Sequence, residues 1–235
     1  MSGLPAAVRP ALRTAAAALH LLPLQRLLLA TVLLLALLLA TACGDATKGQ
    51  ALPAGSTVLA FGNSITYGTG ARPGEDYPTQ LAALSDWQVA NAGIPGDTSA
   101  AARDRIEAAL AATRPALVIV ELGGNDFLRR RPAAAVKEDL RAIVSTIRHS
   151  GAQVILVAVP KFSLLGAISG RLPDSEIYAE LANEEKLPLV AEALAEVLSD
   201  PELKADPIHP NADGYRQLAA AIAEQLREAG LLTAP

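Results

Sequence analysis

Residues 57–70, TVLAFGNSITYGTG, join an apolar run to a glycine-rich turn that carries one serine, Ser64. The apolar run does not alternate with polar residues, which is typical of a strand buried on both faces of a parallel sheet. A serine directly after such a strand has three interpretations: a nucleophile, part of a phosphate-binding loop, or a turn residue. The rest of the sequence bears on all three.

Apolar runs of the same kind recur along the chain. They are rich in β-branched residues and bounded by glycine or proline: WQVANAG (87–93), ALVIVELGG (116–124) and AQVILVAVP (152–160). LPLVAEAL, near residue 189, predicts a shorter fifth strand. Helical patterns separate these runs, so the sequence predicts one three-layer α/β/α sandwich around a mostly parallel five-stranded sheet.

Two of the predicted helices have clear apolar faces. One is followed by the stop signal His149-Ser150-Gly151, and the other begins after Asn211, a residue type that caps helices. Apolar residues recur at helical spacing in both: Val136, Leu140, Ile143, Val144 and Ile147 in the first, and Tyr215, Leu218, Ile222 and Leu226 in the second.

Polar, glycine-rich segments follow the first three predicted strands. They are GNSIT (62–66), GIPGDTS (93–99) and GGND (123–126). Open parallel sheets bind ligands outside the carboxyl ends of their strands. The sequence therefore predicts a single site at this edge, built from residues that are far apart in the chain.

Nucleotide-binding motifs do not match the first of these segments. It lacks the lysine and the spacing of a P-loop, and GTGARPG (68–74) is one residue too long for G-x-G-x-x-G. The α/β-hydrolase elbow, G-x-S-x-G, fails at Thr66. Considered alone, Ser64 is more typical of a turn residue than of a nucleophile.

A serine nucleophile needs a base, usually histidine, that a third group orients. His149 lies in the last turn of a predicted helix, where a cation interacts favourably with the helix dipole, so a structural role is favoured. His209 lies in KADPIHPNADG (204–214), and Asp206 precedes it by three residues. At this spacing the carboxylate can contact Nδ1 while Nε2 faces outward, which is the geometry that a serine needs.

Attack on a carbonyl also needs fixed donors for the developing oxyanion. The backbone amides near Ser64 and Gly96 and the side-chain amide of Asn125 are suitable donors. Ordinary turn chemistry is the alternative for Gly96 and Asn125, and it is favoured when each is taken singly.

Four blocks of the sequence together resemble the SGNH hydrolases, also called GDSL esterases/lipases. The blocks are FGNSIT (61–66), NAGIPGDTS (91–99), ELGGNDF (121–127) and DPIHPNADGY (206–215), and the resemblance covers residues 57–229. The second and third blocks are especially similar to those of the bacterial arylesterase, acyl-thioesterase and lysophospholipase branch.

The resemblance implies a fold and a set of roles. The fold is a flavodoxin-like sandwich, in agreement with the strand and helix pattern. Ser64 would be the nucleophile, His209 the base and then the acid, and Asp206 its orienting partner. Ser64, Gly96 and Asn125 would form the oxyanion hole, and no metal or cofactor belongs to this mechanism.

One position departs from the family pattern. The first block usually has glycine-aspartate-serine, and here Asn63 replaces the aspartate. An amide has nearly the shape of a carboxylate but loses the charge and gains two donors. We expect the exchange to affect the rate and the pH profile more than the type of reaction.

The first 42 residues are predicted to be a lipoprotein signal peptide. Three arginines precede an uncharged run at 27–42, which spans only about 24 Å as a helix, short of the roughly 30 Å of a bilayer core. LATAC resembles the bacterial lipoprotein signal, which implies a lipid on Cys43, the only cysteine. An uncleaved anchor is the alternative. Residues 43–56 are predicted to be a flexible tether and 57–235 the hydrolase domain.

The net charge and the resemblance together predict the partners and the activity of the protein. Loss of the three arginines from a net charge of −4 leaves about −7, which does not suggest a nucleic-acid partner. We expect an exported, lipid-anchored serine esterase that hydrolyses carboxylic ester or thioester bonds of small-molecule or lipid substrates. The alternatives are a deacetylase of polysaccharide or cell-wall sugars and a non-catalytic, surface-anchored binding module.

Two further segments have open interpretations. KFSLLGAISGRLPD (161–174) is either a wall of an acyl pocket or an ordinary crossover loop. Arg129, Arg130 and Arg131 either favour an anionic substrate or form a solvated basic face, and the second is favoured.

Overall fold

The structure is a computed structural model that describes residues 49–161 and 172–233. Strands and helices alternate through most of these ranges. The strands are β1 (Thr57–Gly62), β2 (Gln88–Gly93), β3 (Leu117–Glu121), β4 (Gln153–Val157) and β5 (Leu189–Val190). The helices are α1 (Ser64–Tyr67), α2 (Tyr77–Ser85), α3 (Ser99–Thr113), α4 (Gly124–Leu128), α5 (Ala133–His149), α6 (Glu176–Glu185), α7 (Ala193–Ser199) and α8 (Ala212–Glu228), with a 3₁₀ turn at Pro201–Leu203.

The five strands form one parallel sheet in the order β2-β1-β3-β4-β5. Helices α2, α7 and α8 pack together in one layer, and α3, α5 and α6 pack together in another. This confirms the predicted α/β/α sandwich with a parallel five-stranded sheet. The strand order changes direction between β1 and β3, and such a switch point is where parallel sheets bind ligands.

The carboxyl ends of the first three strands are level with one another. Gly62, the last residue of β1, pairs with Gly93 at the end of β2 and with Glu121 at the end of β3. The loops that follow these strands therefore begin at the same edge, and the segments predicted to converge there do so.

The core is formed by the central strands and the apolar faces of the two longest helices. Every residue of β3 is buried. The nine apolar positions predicted for α5 and α8 are fully buried, which confirms both helix faces. Asn211 caps α8, because its side chain accepts hydrogen bonds from the N–H groups of Asp213 and Gly214.

One strand prediction was wrong in detail. β2 is an edge strand, and Gln88 and Asn91 are exposed, whereas burial on both faces was predicted. An edge strand has a neighbour on one side only, and composition does not encode strand order. The fifth strand is short and lies near residue 189, as predicted; it ends before Glu192, which adopts a left-handed conformation (φ 63°), and α7 begins at Ala193.

Residues 49–56, the described part of the predicted tether, form hydrogen bonds with the hydrolase domain. Gly49 N–H donates to Ala229 O at 2.8 Å, and Leu52 N–H donates to Leu231 O at 2.9 Å. The Leu52 side chain is part of the core. Residues 43–48 and the predicted signal peptide, 1–42, lie outside the described residues. Within the described residues, no helix combines the length and the apolar character that crossing a membrane requires.

The first helix lies directly against the end of β2, and Gly93 makes this approach possible. A Cβ on Gly93 would lie 2.2 Å from Tyr67 N and 2.7 Å from Asn63 O, both backbone atoms. Backbone atoms cannot move aside as a flexible side chain can. The position of α1, and with it the position of Ser64, therefore depends on a residue without a side chain at 93.

We expect Gly93→Ala to destabilise the protein by at least about 2 kcal/mol, since the new methyl group overlaps the backbone at the start of α1. Gly124→Ala is the matched control, because a Cβ there meets other atoms only at 3.6 Å or more. Urea unfolding monitored by circular dichroism measures both variants. Equal stabilities for the two variants would contradict the close packing of α1 on β2.

Candidate active site

Ser64 is the first residue of α1, at the carboxyl end of β1. The side chain of Asn63 caps this helix by accepting a hydrogen bond from Ile65 N–H at 2.9 Å. Because Ser64 is the first helical residue, its own N–H has no acceptor within the helix. The turn therefore presents both the hydroxyl and the backbone amide of Ser64 at the sheet edge.

Asp206 organises the loop that carries His209. Its Oδ1 accepts hydrogen bonds from the N–H groups of Ile208 and His209, both at 2.9 Å, and its Oδ2 lies 2.7 Å from His209 Nδ1. A carboxylate can only accept, so Nδ1 carries the proton and Nε2 of the neutral ring is an acceptor. Burial acts to raise the pKa of Asp206, but the hydrogen bonds from His209 and Ile208 outweigh it and hold the pKa below its ordinary value.

The structure brings Ser64, His209 and Asp206 together. His209 Nε2 lies 3.0 Å from Ser64 Oγ, so the hydroxyl donates to the unprotonated ring nitrogen. The imidazole is largely buried, with 14% of its side chain exposed, whereas Asp206 is 44% exposed. The two hydrogen bonds form a continuous path from carboxylate to hydroxyl.

Contacts between distant segments hold the turn after Ser64 and the loop of His209 next to each other. Tyr215, on α8, is fully buried and donates from its hydroxyl to Thr69 O at 2.7 Å. Gly70 adopts φ 100°, and a Cβ there would lie 2.4 Å from Pro210 O. The turn after Ser64 is thus packed against the loop of His209. Tyr215 was predicted only as a core residue, and its hydroxyl on an otherwise apolar face was the available signal.

A tight turn follows β2 and presents the amide of Gly96. Asp97 N–H donates to Ile94 O at 3.1 Å, and Gly96 has φ 83°, the conformation that the third position of a type II turn requires. Within the described ranges, the N–H of Gly96 has no hydrogen-bond acceptor, so it is available to a ligand.

Asn125, at the start of α4, is hydrogen-bonded to the same turn. Its Nδ2 donates to Asp97 O at 3.0 Å. A side-chain amide nitrogen carries two N–H groups, so one remains for another acceptor. The structure thus places the predicted donors Ser64, Gly96 and Asn125 at the ends of β1, β2 and β3, respectively.

The recess beside Ser64 and His209 is mainly apolar. Its apolar walls come from α1, α4, α7 and the loops after β4 and before α8, through Ile65, Leu128, Val159, Leu194, Leu198 and Ile208. Such a surface accommodates an apolar group next to the serine hydroxyl. Most of the segment predicted as a pocket wall, residues 162–171, lies outside the described residues.

A buried carboxyl group lies behind the nucleophile turn, and sequence reasoning missed it. Glu121 is fully buried and accepts hydrogen bonds from Asn63 Nδ2 at 3.2 Å and Thr66 Oγ1 at 3.0 Å. Burial raises the pKa of Glu121 to about 8, while the hydrogen bonds from Thr66 and Asn63 act in the opposite direction. The signal in the sequence was one acidic residue at the end of an apolar strand.

Two other charged residues that the sequence singled out, His149 and Arg131, have structural contacts. His149 lies in the last turn of α5, where its Nδ1 donates to Ser145 O at 2.7 Å. Arg131 forms ion pairs with Asp126 and Asp139, so its charge is paired inside the protein and does not belong to a solvated basic face. Within the described ranges, no three His, Cys, Asp or Glu side chains are grouped so that they could hold a metal ion.

We expect Glu121 to make the stability of the protein depend on pH. With a pKa of about 8 in the folded state and about 4.3 when unfolded, the folded protein binds more protons between these values. Stability should therefore fall as the pH rises through this window. Between pH 5 and pH 9, the wild type should lose at least about 1 kcal/mol more than Glu121→Gln in urea unfolding.

An exposed carboxyl on α3 provides the control for this measurement. Glu107→Gln should lose stability with pH in the same way as the wild type. A parallel pH dependence of the wild type and Glu121→Gln would show that Glu121 does not titrate abnormally.

Comparisons with known proteins agree with the four blocks identified in the sequence. The model of the GDSL-like Lipase/Acylhydrolase family matches residues 60–217. Thioesterase 1/protease 1/lysophospholipase L1 of Escherichia coli (strain K12) is 35% identical over 183 residues, which cover 74% of this chain and 85% of that protein. Arylesterase of Vibrio mimicus is 30% identical over 181 residues, 74% of this chain and 89% of that protein.

The fold has relatives among solved structures. The crystal structure of TesA matches with a TM-score of 0.65 and 31% sequence identity, over 74% of this chain and 99% of the TesA chain. The sequence match, the fold and the order of the four blocks agree, and they confirm the predicted family and the type of enzyme. The chain belongs to the GDSL-like lipase/acylhydrolase family and is a serine ester hydrolase.

Proposed function

We propose that this hydrolase cleaves carboxylic ester and thioester bonds through an acyl-serine intermediate on Ser64, with His209 as the base. The observation that carries the proposal is the path of hydrogen bonds from Ser64 Oγ to His209 Nε2 and from His209 Nδ1 to Asp206. A serine hydroxyl is a weak nucleophile, and a base in hydrogen-bond contact with it supplies the required activation.

Acylation begins when Ser64 Oγ attacks the carbonyl carbon of the substrate. His209 Nε2 takes the hydroxyl proton as the new C–O bond forms, and Asp206 stabilises the resulting imidazolium. The imidazolium then gives this proton to the leaving oxygen or sulfur. The bond to the leaving group breaks, and an alcohol or thiol departs from the acyl-enzyme.

Fixed donors stabilise the negative charge that develops on the carbonyl oxygen. The N–H groups of Ser64 and Gly96 and the second Nδ2–H of Asn125 are the donors in this proposal. Loss of one such donor typically costs about 2.7–4 kcal/mol of transition-state stabilisation. Because Asn125 is bonded to the turn of Gly96, these two donors form one unit.

Water completes the cycle by the same route in reverse. His209 takes a proton from a water molecule, whose oxygen attacks the acyl carbon. The tetrahedral intermediate collapses, the bond to Ser64 Oγ breaks, and the proton returns to the serine. The product is a carboxylic acid, and the enzyme regains its starting state.

The apolar wall of the recess supports acyl substrates with a hydrocarbon portion. Leu128, Leu194 and Ile208 offer apolar contacts to such a portion. The names of the relatives, which include a thioesterase, a lysophospholipase and an arylesterase, support the same class of substrate. Removal of acetyl groups from sugars is correspondingly less favoured.

We expect Ser64→Ala to lower kcat for p-nitrophenyl butyrate by at least about 10³-fold, because no other group supplies the nucleophile. The variant should also lose labelling by a fluorophosphonate probe. Ser150→Ala is the control, since Ser150 lies beyond the end of α5 and its hydroxyl contacts only the helix end. Circular dichroism establishes that both variants are folded. Turnover of folded Ser64→Ala at the wild-type rate would refute the assignment.

The proposal includes export and a lipid anchor on Cys43, supported by the small residues before this single cysteine. A Cys43→Ala variant expressed in a bacterial host should lose incorporation of radiolabelled palmitate and move from the membrane to another fraction. Ser64→Ala is the matched control, because it should retain both the label and the membrane fraction. Palmitate labelling of Cys43→Ala equal to that of the wild type would refute the anchor.

A further inference from the structure

We propose that Arg105 is a positioning residue that fixes the Gly96 amide relative to the nucleophile. The inference rests on the proposed function, in which Gly96 N–H is one of the oxyanion donors. Arg105 lies on α3, after the turn that carries Gly96, and it is not part of the recess beside Ser64.

The guanidinium of Arg105 contacts three residues in two segments, the end of β1 and the turn after β2. Its Nη2 donates to Gly62 O at 2.9 Å, and its Nε donates to Asp97 Oδ2 at 2.7 Å. Its Cζ lies 4.1 Å from the centre of the Phe61 ring, at a distance typical of a cation–π contact. One planar group thus bonds the end of β1 to the residue that follows Gly96.

These bonds close a ring around the turn. Gly62 O accepts a second hydrogen bond, from Ile94 N–H at 3.1 Å, and the turn then runs from Ile94 to Asp97. Its first residue is therefore bonded to Gly62 directly, and its last residue is bonded to Gly62 through Arg105. Gly62 is two residues before Ser64, so the ring sets the distance between the two backbone donors.

Hydrogen bonds, not side-chain packing, hold the turn. Asn125 Nδ2 donates to Asp97 O, and Arg129 Nη2 donates to Gly96 O. Within the described ranges, only Arg105 bonds the turn to β1 through a side chain. Gly96 is exposed, and a Cβ at this position would contact no atom within 4 Å. The ion pair is well shielded, with 21% of the Arg105 side chain and 9% of the Asp97 side chain exposed. Charge-assisted hydrogen bonds in this setting are stronger and more directional than those of an exposed pair.

Arg103 shows by contrast that the arrangement is specific. It lies two residues earlier on α3, is 51% exposed, and pairs with Asp139 on α5. Among the described residues, Arg103 forms no hydrogen bond with the turn or with β1. The two arginines thus lie on the same helix and each pairs with an aspartate, but only Arg105 is bonded to the turn that holds Gly96.

The proposed role predicts a particular kinetic change. A displaced Gly96 amide weakens binding of the oxyanion, which exists only in the transition state and the tetrahedral intermediate. Ground-state binding in the apolar recess does not use this amide. Loss of Arg105 should therefore lower kcat and leave KM nearly unchanged.

The test compares Arg105→Lys and Arg105→Met with Arg103→Met as the matched control. We expect kcat for p-nitrophenyl butyrate to fall about 10- to 100-fold in both Arg105 variants, and less than about twofold in Arg103→Met. Lysine keeps the charge but cannot bond Gly62 O and Asp97 with one planar group, so it should not restore the rate.

A second measurement reports on the oxyanion donors themselves. A trifluoromethyl ketone adds to an active serine and places an oxyanion among these donors. Its inhibition constant should rise in the Arg105 variants by the same factor by which kcat/KM falls. A merely structural role would lower the unfolding midpoint without this match. Asp97→Asn should reproduce the effect, and the double variant with Arg105→Met should add little to it.

The outcomes separate this inference from the proposed function. Wild-type kcat and ketone affinity in folded Arg105→Lys would overturn it, and so would a change confined to KM. Arg105→Met leaves Asp97 unpaired, so if it does not fold, Arg105→Lys and Asp97→Asn decide. Failure of the proposed function itself would appear as activity in Ser64→Ala.

Discussion

The hydrogen bond between Ser64 and His209 joins two residues that are 145 positions apart, and the rest of the fold serves this contact. Neither residue can act alone, because a serine hydroxyl needs a neighbouring base. The parallel sheet places Ser64 at its carboxyl edge, and the last helix supports the loop that carries His209. The bond from Tyr215 to Thr69 O joins these two parts directly. A contact between residues so distant in sequence costs chain entropy, and the buried core that supports both residues offsets this cost.

Much of this arrangement was predictable from sequence, for identifiable physical reasons. Strand composition and glycine-rich turns predicted the sheet, and the four blocks predicted the positions of Ser64, Gly96, Asn125 and His209. The edge position of β2 depends on strand order, which composition does not encode. The packing of residues 49–52 depends on hydrogen bonds to Ala229 and Leu231, which a local pattern does not reveal.

Glu121 gives a physical context for the departure from the family pattern at Asn63. The amide of Asn63 donates to the buried carboxyl group and at the same time accepts the Ile65 N–H that caps α1. An aspartate at 63 would keep the cap but would place a second acid against Glu121. Two such groups in contact cannot both ionise without repulsion, so one would hold a proton. The asparagine removes this conflict and still satisfies both neighbours.

The segment at residues 49–52 also determines the face of the domain to which another molecule can be attached. Gln50 exchanges two hydrogen bonds with Gln153, the first residue of β4. The segment therefore runs along the edge where strands begin, and the serine lies at the edge where they end, about 17 Å away along a five-residue strand. A fusion partner or a solid support joined ahead of Gly49 would be attached on the far side. Immobilised enzyme would then present an unobstructed entrance to its substrates.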